Sequence, residues 1–254
     1  MTTNRPKLAL VTGTSSGIGA EVASQLLAAG WDVVGVARRP ARLTDPHYRH
    51  LQLDLADPVA PLTAIPAAVD GLLGAEAVRR VALVNNAAAA ALAGPLERIE
   101  PAALLAAYAV NLAAPIWLMG YIKRSVRPGV PTRIVNVSSG AAVSPLPGLS
   151  AYSSAKAGLR MAGMILAAEL DTPAAGAATS PDISIMSYEP GVVETEMQVA
   201  IRAVPEREFP WVGVFHQFKE QGLLVPPAEP AREITAYLER DGHPRFLERR
   251  YGSA

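Results

Sequence analysis

Apolar residues come in short runs separated by segments of helical period, and the alternation repeats along the chain. Lys7-Leu8-Ala9-Leu10-Val11-Thr12 is a short apolar strand; after a glycine-rich turn a helix runs to about Ala29, ended by Gly30. Asp32-Val33-Val34-Gly35-Val36-Ala37 predicts a second strand, Leu51-Gln52-Leu53 a third and Val81-Ala82-Leu83-Val84 a fourth. Thr132 to Val137 is β-branched and apolar and reads as a buried strand, Ile183 to Tyr188 alternates as a sixth, and Phe246 to Arg250 makes a short last one. Between them, residues 57–79 read as a helix in which Pro58 fits the first turn, while Pro61 and Pro66 argue for a late start or a kink. Pro101 opens a long alanine-rich helix through Ile122, Ala157 to Leu170 is apolar at helical spacing, and about Pro227 to Glu239 forms a last helix. Thr172 to Asp182 reads as a surface loop. The alternation predicts an α/β fold: one doubly wound domain over residues 1–254 around a mostly parallel seven-stranded sheet.

The first strand runs into Gly13-Thr14-Ser15-Ser16-Gly17-Ile18-Gly19. Strand, glycine turn and helix together make a phosphate cradle. Gly13 and Gly17 allow a tight turn and close approach to a pyrophosphate, Gly19 lets the helix pack on the strand, and the helix N-terminus faces the anion. At the end of the second strand, where an acid would bind the ribose hydroxyls of NAD, stand Ala37, Arg38 and Arg39. Arginine without the acid suits the 2′-phosphate of NADP, against the alternative of a solvated basic turn. Asp54 and Leu55 follow the third strand where an adenine ring would lie, and the fourth ends in Asn85-Asn86-Ala87-Ala88. Pro115 frees the carbonyl four residues back, that of Asn111, so a kink there could leave an oxygen to hold a water; a plain proline kink with the Asn111 side chain bonded locally competes with this.

After the fifth strand comes Ser138-Ser139, then Tyr152 and Lys156, four apart and so on one face of a helix. A free tyrosine has a pKa near ~10, and lowering it by about three units takes roughly 4 kcal/mol. A lysine charge ~4 Å away supplies about that at an effective dielectric of ~20, and burial acts the other way, so the cation is expected to win. A serine hydroxyl nearby could hold a carbonyl oxygen for protonation.

Composition narrows the picture by exclusion. Of 254 residues half are hydrophobic, 18% are charged, and the formal net charge is zero, which leaves no basic field for nucleic acid. With no cysteine, thiolate chemistry and thiolate metal sites are excluded, and four scattered histidines offer no ligand cluster, so no metal is expected. The first residues hold no signal-peptide core, and Pro, Arg or Asp interrupts each apolar run; a cytoplasmic protein without a membrane span is the expectation.

Thr12-Gly13-x-x-x-Gly17-Ile18-Gly19, Asn85-Asn86-Ala87, Asn111, Ser139, Tyr152-x-x-x-Lys156 and Pro190-Gly191 together resemble the short-chain dehydrogenase/reductase superfamily, in its order and spacings over nearly the whole chain. The resemblance implies an NAD(P)-dependent oxidoreductase on a single Rossmann domain. Ser139 would hold the substrate carbonyl, Tyr152 act as general acid or base, Lys156 bind the nicotinamide ribose and tune the tyrosine, and Asn111 support a water-linked proton relay. Gly13, Ser15, Ser16, Gly17, Ile18, Gly19, Arg38, Arg39, Asp54, Leu55, Asn86, Ala87, Pro190, Gly191, Val193 and Thr195 would line the cofactor, with Tyr152 and Lys156. Ala88 departs from the family, which usually has glycine there.

Residues 194–225, in this family the substrate lid, carry Met197, Phe209, Trp211, Phe215 and Phe218, which read equally as core or as an apolar pocket; His216 reads as surface. Ala141, Leu146, Met197 and Trp211 are the candidate substrate contacts. Thr195-Glu196-Met197-Gln198 and Phe218-Lys219-Glu220-Gln221-Gly222-Leu223-Leu224 are similar to sepiapterin reductases and bacterial benzil reductases. This implies NADP(H)-dependent reduction of one carbonyl of a vicinal dicarbonyl to a secondary alcohol. The family also implies a homodimer through the helices near 101–122 and 152–170. Alternatives are a 3-oxoacyl-carrier-protein reductase, for which Arg124 and Arg127 are hints, and a non-catalytic NADP(H)-binding sensor.

Overall fold

The computed structural model describes residues 6–89, 93–172 and 181–253. Most of the loop expected over 172–182 lies outside them. Seven strands, β1 (Lys7–Thr12), β2 (Asp32–Ala37), β3 (Tyr48–Gln52), β4 (Arg80–Asn85), β5 (Thr132–Val137), β6 (Ile183–Glu189) and β7 (Phe246–Arg250), form one sheet in the order β3-β2-β1-β4-β5-β6-β7. Every pairing is parallel. The helices are α1 (Gly17–Ala28), α2 (Ala60–Leu73), α3 (Pro101–Tyr108), α4 (Ala114–Ser125), α5 (Ser150–Asp171), α6 (Glu196–Arg202), α7 (Val212–Glu220) and α8 (Ala228–Glu239). The doubly wound α/β expectation holds.

The two faces of the sheet are read from alternate strand residues. Leu8, Leu10, Leu83, Ile134 and Ile185 point to one side, where α2, α4 and α5 cover them with Ile65, Leu118, Ile122, Leu159 and Leu166. Ala9, Val11, Val84, Val135 and Met186 point to the other, under Val22 and Leu26 of α1 and Ile234 and Leu238 of α8. Burial on both faces explains the nearly continuous apolar runs of the central strands.

Three local expectations shift. β3 starts at Tyr48, three residues before Leu51, because this edge strand is only half-buried and its polar residues hide it from an apolar search. α2 starts at Ala60: Asp57 Oδ1 accepts the N–H groups of Val59 and Ala60 at 2.8 Å each, holding the chain before the first turn, and Pro61 falls inside that turn. The kink expected at Asn111 is a π turn, Ala109–Ala113, between α3 and α4. Such a bulge absorbs the amide that Pro115 lacks. The continuous run Pro101–Ser125 is therefore 25 residues, long and apolar enough by length and composition alone to cross a membrane. The expectation that every apolar run is interrupted fails here, since the proline does not end the helix. In this fold Leu118 and Ile122 of the run are fully buried against the sheet.

The join between α1 and the glycine turn is among the tightest in the core. A Cβ on Gly19 would lie 2.3 Å from the Gly13 carbonyl oxygen and 2.3 Å from Asn86 Nδ2. Gly19→Ala should therefore push α1 off the sheet and cost about 1–3 kcal/mol, the usual penalty of overpacking. Thermal and denaturant unfolding would read it; unchanged stability would mean that the turn has slack these distances deny.

Candidate active site

The carboxyl ends of β1, β2, β4, β5 and β6 open on one edge of the sheet. β1 lies between β2 and β4, so the chain leaves it toward opposite sides; such a switch point makes a crevice above the strand ends. Gly13 (φ 77°) and Gly17 (φ 61°) take the left-handed backbone that a side chain resists. A Cβ on Gly13 would press on the Ala87 backbone, and one on Gly17 would meet the Thr195 methyl at 3.3 Å. Ser16 caps α1 in extended conformation without bonding its own helix, and α1 has no acid in its first turn. The free N–H groups of that turn suit a phosphate, and Ser15, Ser16 and Ile18 lie around them.

Thr12 and Asn86 hold this cradle in shape. Thr12 Oγ1 accepts the backbone N–H groups of Asn86 and Ala87 at 3.0 Å each, and Asn86 Nδ2 donates to the carbonyls of Thr12 (3.0 Å) and Gly13 (3.3 Å). The Asn86 amide is thus a brace between strand ends. Asn111, 1% exposed, accepts the Ala89 N–H through Oδ1 at 2.9 Å and ties the π turn to the segment after β4. Its side chain is bonded across the fold, not to its own helix. Asp54 accepts from the Ala56 N–H, and Leu55 packs into the core.

Arg38 and Arg39 are both exposed. Arg39 Nη2 donates to Ser16 Oγ at 3.2 Å and to the carboxylate of Glu196. Arg39, not Arg38, is the basic group joined to the glycine turn. Glu196 escaped sequence reasoning: it begins α6, far along the chain, and no local pattern ties it to Arg39.

Ser139 lies two residues past the end of β5, and its Oγ accepts the Ala141 N–H at 3.2 Å, which turns the chain into a short 3-10 segment with Ala141 buried. Lys156, one turn into α5 from Tyr152, is 2% exposed and donates to the Val137 carbonyl at 2.7 Å. Its Nζ lies 5.6 Å from the centre of the Tyr152 ring. Burial pushes the Tyr152 phenol up, while a side-chain hydrogen bond with Ser139 pulls it down. Burial also pushes the Lys156 ammonium from 10.5 down to about 8. The expectation that the lysine cation lowers the tyrosine is overturned in this arrangement: desolvation dominates at both groups, and the ammonium is engaged by a carbonyl.

Pro190 is buried and Gly191 (φ 74°) turns the chain after β6. Val193, 5% exposed, bridges in parallel to Val225, which pins both ends of residues 194–225, the segment expected to be a lid. Within the lid, Phe209 and Phe215 are core, 5.7 Å apart, whereas Trp211 is 40% exposed and Met197 half-buried. Met197 and Tyr152 pack on the same cluster as Leu149 and Phe209. Gly148 (φ 76°) seats it: a Cβ there would lie 2.4 Å from the Phe209 ring and 2.9 Å from Trp211. Leu146 is exposed on the loop before it, and His216 is exposed as expected. A cavity of ≈ 330 Å³ also opens beside Ser139, on the β7 side, between Val143, Arg160, Glu189 and Arg250. No group of His, Cys, Asp or Glu among the described residues is set to hold a metal.

Lys156 makes stability depend on pH. Between about 8 and 10.5 the unfolded chain holds this proton and the folded chain does not, so stability rises with pH through that window; below it the full cost of a buried charge is present. The rise from pH 8 to about 9.5 should be roughly 2 kcal/mol, at ~1.36 kcal/mol per unit. It is measured as a difference from Lys156→Met, over a window kept below the tyrosine range near ~10. Parallel pH profiles for the two proteins would remove Lys156 as the source.

A family model described as short chain dehydrogenase matches residues 7–206. A benzil reductase ((S)-benzoin forming) of Bacillus cereus is 30% identical over 244 residues, which is 93% of this chain and 95% of that protein. A sepiapterin reductase of Meriones unguiculatus is 28% identical over 259 residues, covering 91% of each chain. The crystal structure of the KRED1-Pglu enzyme superposes with a TM-score of 0.78 at 25% identity, over 94% of this chain and 99% of that one. With a family model matching most of its length, a relative of 30% identity spanning nearly all of it, and Ser139, Tyr152 and Lys156 gathered at one strand end, the chain belongs to the short-chain dehydrogenase family of oxidoreductases.

Proposed function

We infer that the chain is an NADPH-dependent carbonyl reductase that converts one carbonyl of a vicinal dicarbonyl to a secondary alcohol. The observation that carries this reading is Tyr152: a half-buried phenol, hydrogen-bonded to Ser139, one helical turn from a buried lysine and packed on the lid aromatics. Burial keeps the phenol protonated at neutral pH, which is the form that gives a proton to a carbonyl oxygen.

The glycine cradle fits a dinucleotide pyrophosphate, and Arg39 with Ser16 fits a 2′-phosphate. Bound there, the dinucleotide supplies the hydride that adds to the carbonyl carbon. Ser139 donates a hydrogen bond to the carbonyl oxygen and fixes its direction. Tyr152 passes its proton to that oxygen as the C=O π bond breaks, so ketone, hydride and proton make one alcohol. Lys156 is the group for the nicotinamide ribose, and its charge offsets the phenolate that Tyr152 becomes. Asn111 keeps the segment after β4 in place through Ala89. The dicarbonyl class is supported by the benzil and sepiapterin reductase relatives and by the aromatic lid over Tyr152. A homodimer belongs to the same reading: Leu105, Ile116, Met161, Met164 and Ile165 leave an apolar exposed surface on α3, α4 and α5.

NADPH oxidation with benzil, sepiapterin, diacetyl, an acetoacetyl thioester and a simple aryl ketone, with NADH in parallel, tests the assignment. Turnover is expected on benzil or sepiapterin with NADPH preferred; turnover confined to the thioester or the simple ketone would refute the dicarbonyl class. Tyr152→Phe should lower kcat by about 10²–10⁴ while NADPH binding persists, the range for losing a general acid. A variant that kept its kcat would sink the mechanism.

A further inference from the structure

The Arg39–Glu196 pair joins two parts of the molecule with different tasks. Arg39 follows β2 and reaches Ser16, the residue that caps α1. Glu196 is the first residue of α6, 157 positions further on, where the lid begins. Thr195, just before it, rests its methyl against Gly17. The chain entering the lid thus crosses directly over the glycine turn, and the carboxylate of Glu196 reaches Arg39 beside that crossing. Arg39 and Ser16 both bond to it, with Arg42 nearby, and together they hold its carboxyl below the usual range. Both partners of the ion pair are well exposed, at 60% and 61% of the side chain, so water and solutes reach it.

These are the donors that a 2′-phosphate would take. An arginine has several N–H groups and could touch two anions, but only by bringing a carboxylate and a phosphate together, and like charges at that range repel. An AMP or NAD ribose has no phosphate at this position and makes no such demand.

We propose that Glu196 is an internal competitor for the 2′-phosphate site: it occupies Arg39 and Ser16, a coenzyme 2′-phosphate displaces it, and the displacement unties the first turn of the lid helix α6. The proposal rests on the NADPH reading above. Its consequence is selective. Glu196 weakens the hold on NADP(H) and leaves NAD(H) untouched, so it hastens departure of the phosphorylated coenzyme, the step that often limits turnover in enzymes with moving lids.

Calorimetric titration with adenosine 2′,5′-bisphosphate and with AMP, which carry no nicotinamide, isolates the effect; NADPH and NADH follow with the same proteins. Glu196→Gln and Glu196→Ala should each bind the bisphosphate and NADPH about two- to fivefold more tightly, the scale of one exposed ion pair, with AMP and NADH unchanged. The gain should shrink in high salt, which screens exposed charges. Bisphosphate affinity that stays the same or weakens in both variants overturns the competition, and so does an equal gain for AMP. Wild-type protein that binds the bisphosphate no better than AMP would remove the NADPH reading and this proposal with it. A clear wild-type preference with no response to either variant would remove this proposal alone.

Discussion

Lys156 bonds to the Val137 carbonyl almost out of reach of water, and the geometry of the site follows from that one contact. It joins the side of α5 to the last residue of β5 and so fixes the rotation of the helix against the sheet. Tyr152 is then carried one turn back along α5, and Ser139 two residues beyond Val137, until the two hydroxyls face each other. A charge held in so dry a place is destabilising by itself, since burial alone lowers its proton affinity. The contact persists because the surrounding core over-determines it: Ala155 and Leu159, on either side of the lysine in α5, are fully buried.

The cofactor edge of the crevice depends on a different constraint, the shortage of space around the glycine turn. Gly13 and Gly19 leave no room for a Cβ, and the Asn86 amide fills what remains. The glycine turn proposed for the pyrophosphate is therefore a backbone surface braced from below by Thr12 and Asn86, with the helix N-terminus open above. The lid is seated by the same device at Gly148, where Phe209 and Trp211 lie so close that only glycine fits. The glycine turn and the segment around Phe209 are each positioned by a close approach to backbone rather than by a large contact area.

Much of this was legible in the chain. β1, β2 and β5 match their apolar runs to the residue, because a strand buried in a parallel sheet has little besides its own hydrophobicity to show. Tyr152 and Lys156 were legible as a pair because helical period puts them on one face. β3 was blurred, since an edge strand mixes polar and apolar residues. The direction of the tyrosine shift was misjudged: spacing along a helix says that two side chains are neighbours, and says nothing about a carbonyl at 2.7 Å that engages one of them. The pairing of Glu196 with Arg39 was not legible, because an ion pair between the start of α6 and the turn after β2 has no period, and the partners lie 157 residues apart. The helix from Pro101 was legible through Ile122 with a kink at Asn111, but the form of the kink was not, because the effect of Pro115 depends on whether a π turn can form behind it.

The overturned expectation about Tyr152 gives the better chemistry for a reductase. A lysine that depressed the phenol in the resting site would leave part of it ionised, and an ionised phenol has no proton to give. Here burial holds the phenol neutral, and the ammonium stands 5.6 Å from the ring. At an effective dielectric of about 20, that separation is worth roughly 3 kcal/mol to a phenolate and almost nothing to a neutral ring, a pull toward ionisation that burial outweighs in the resting site. On the proposed mechanism the attraction grows only as the proton leaves, so it acts on the transition state and not on the resting enzyme, which is the condition for an interaction to raise kcat. The same desolvation that makes Lys156 costly to bury thus separates the two protonation states of Tyr152 in the order that reduction requires.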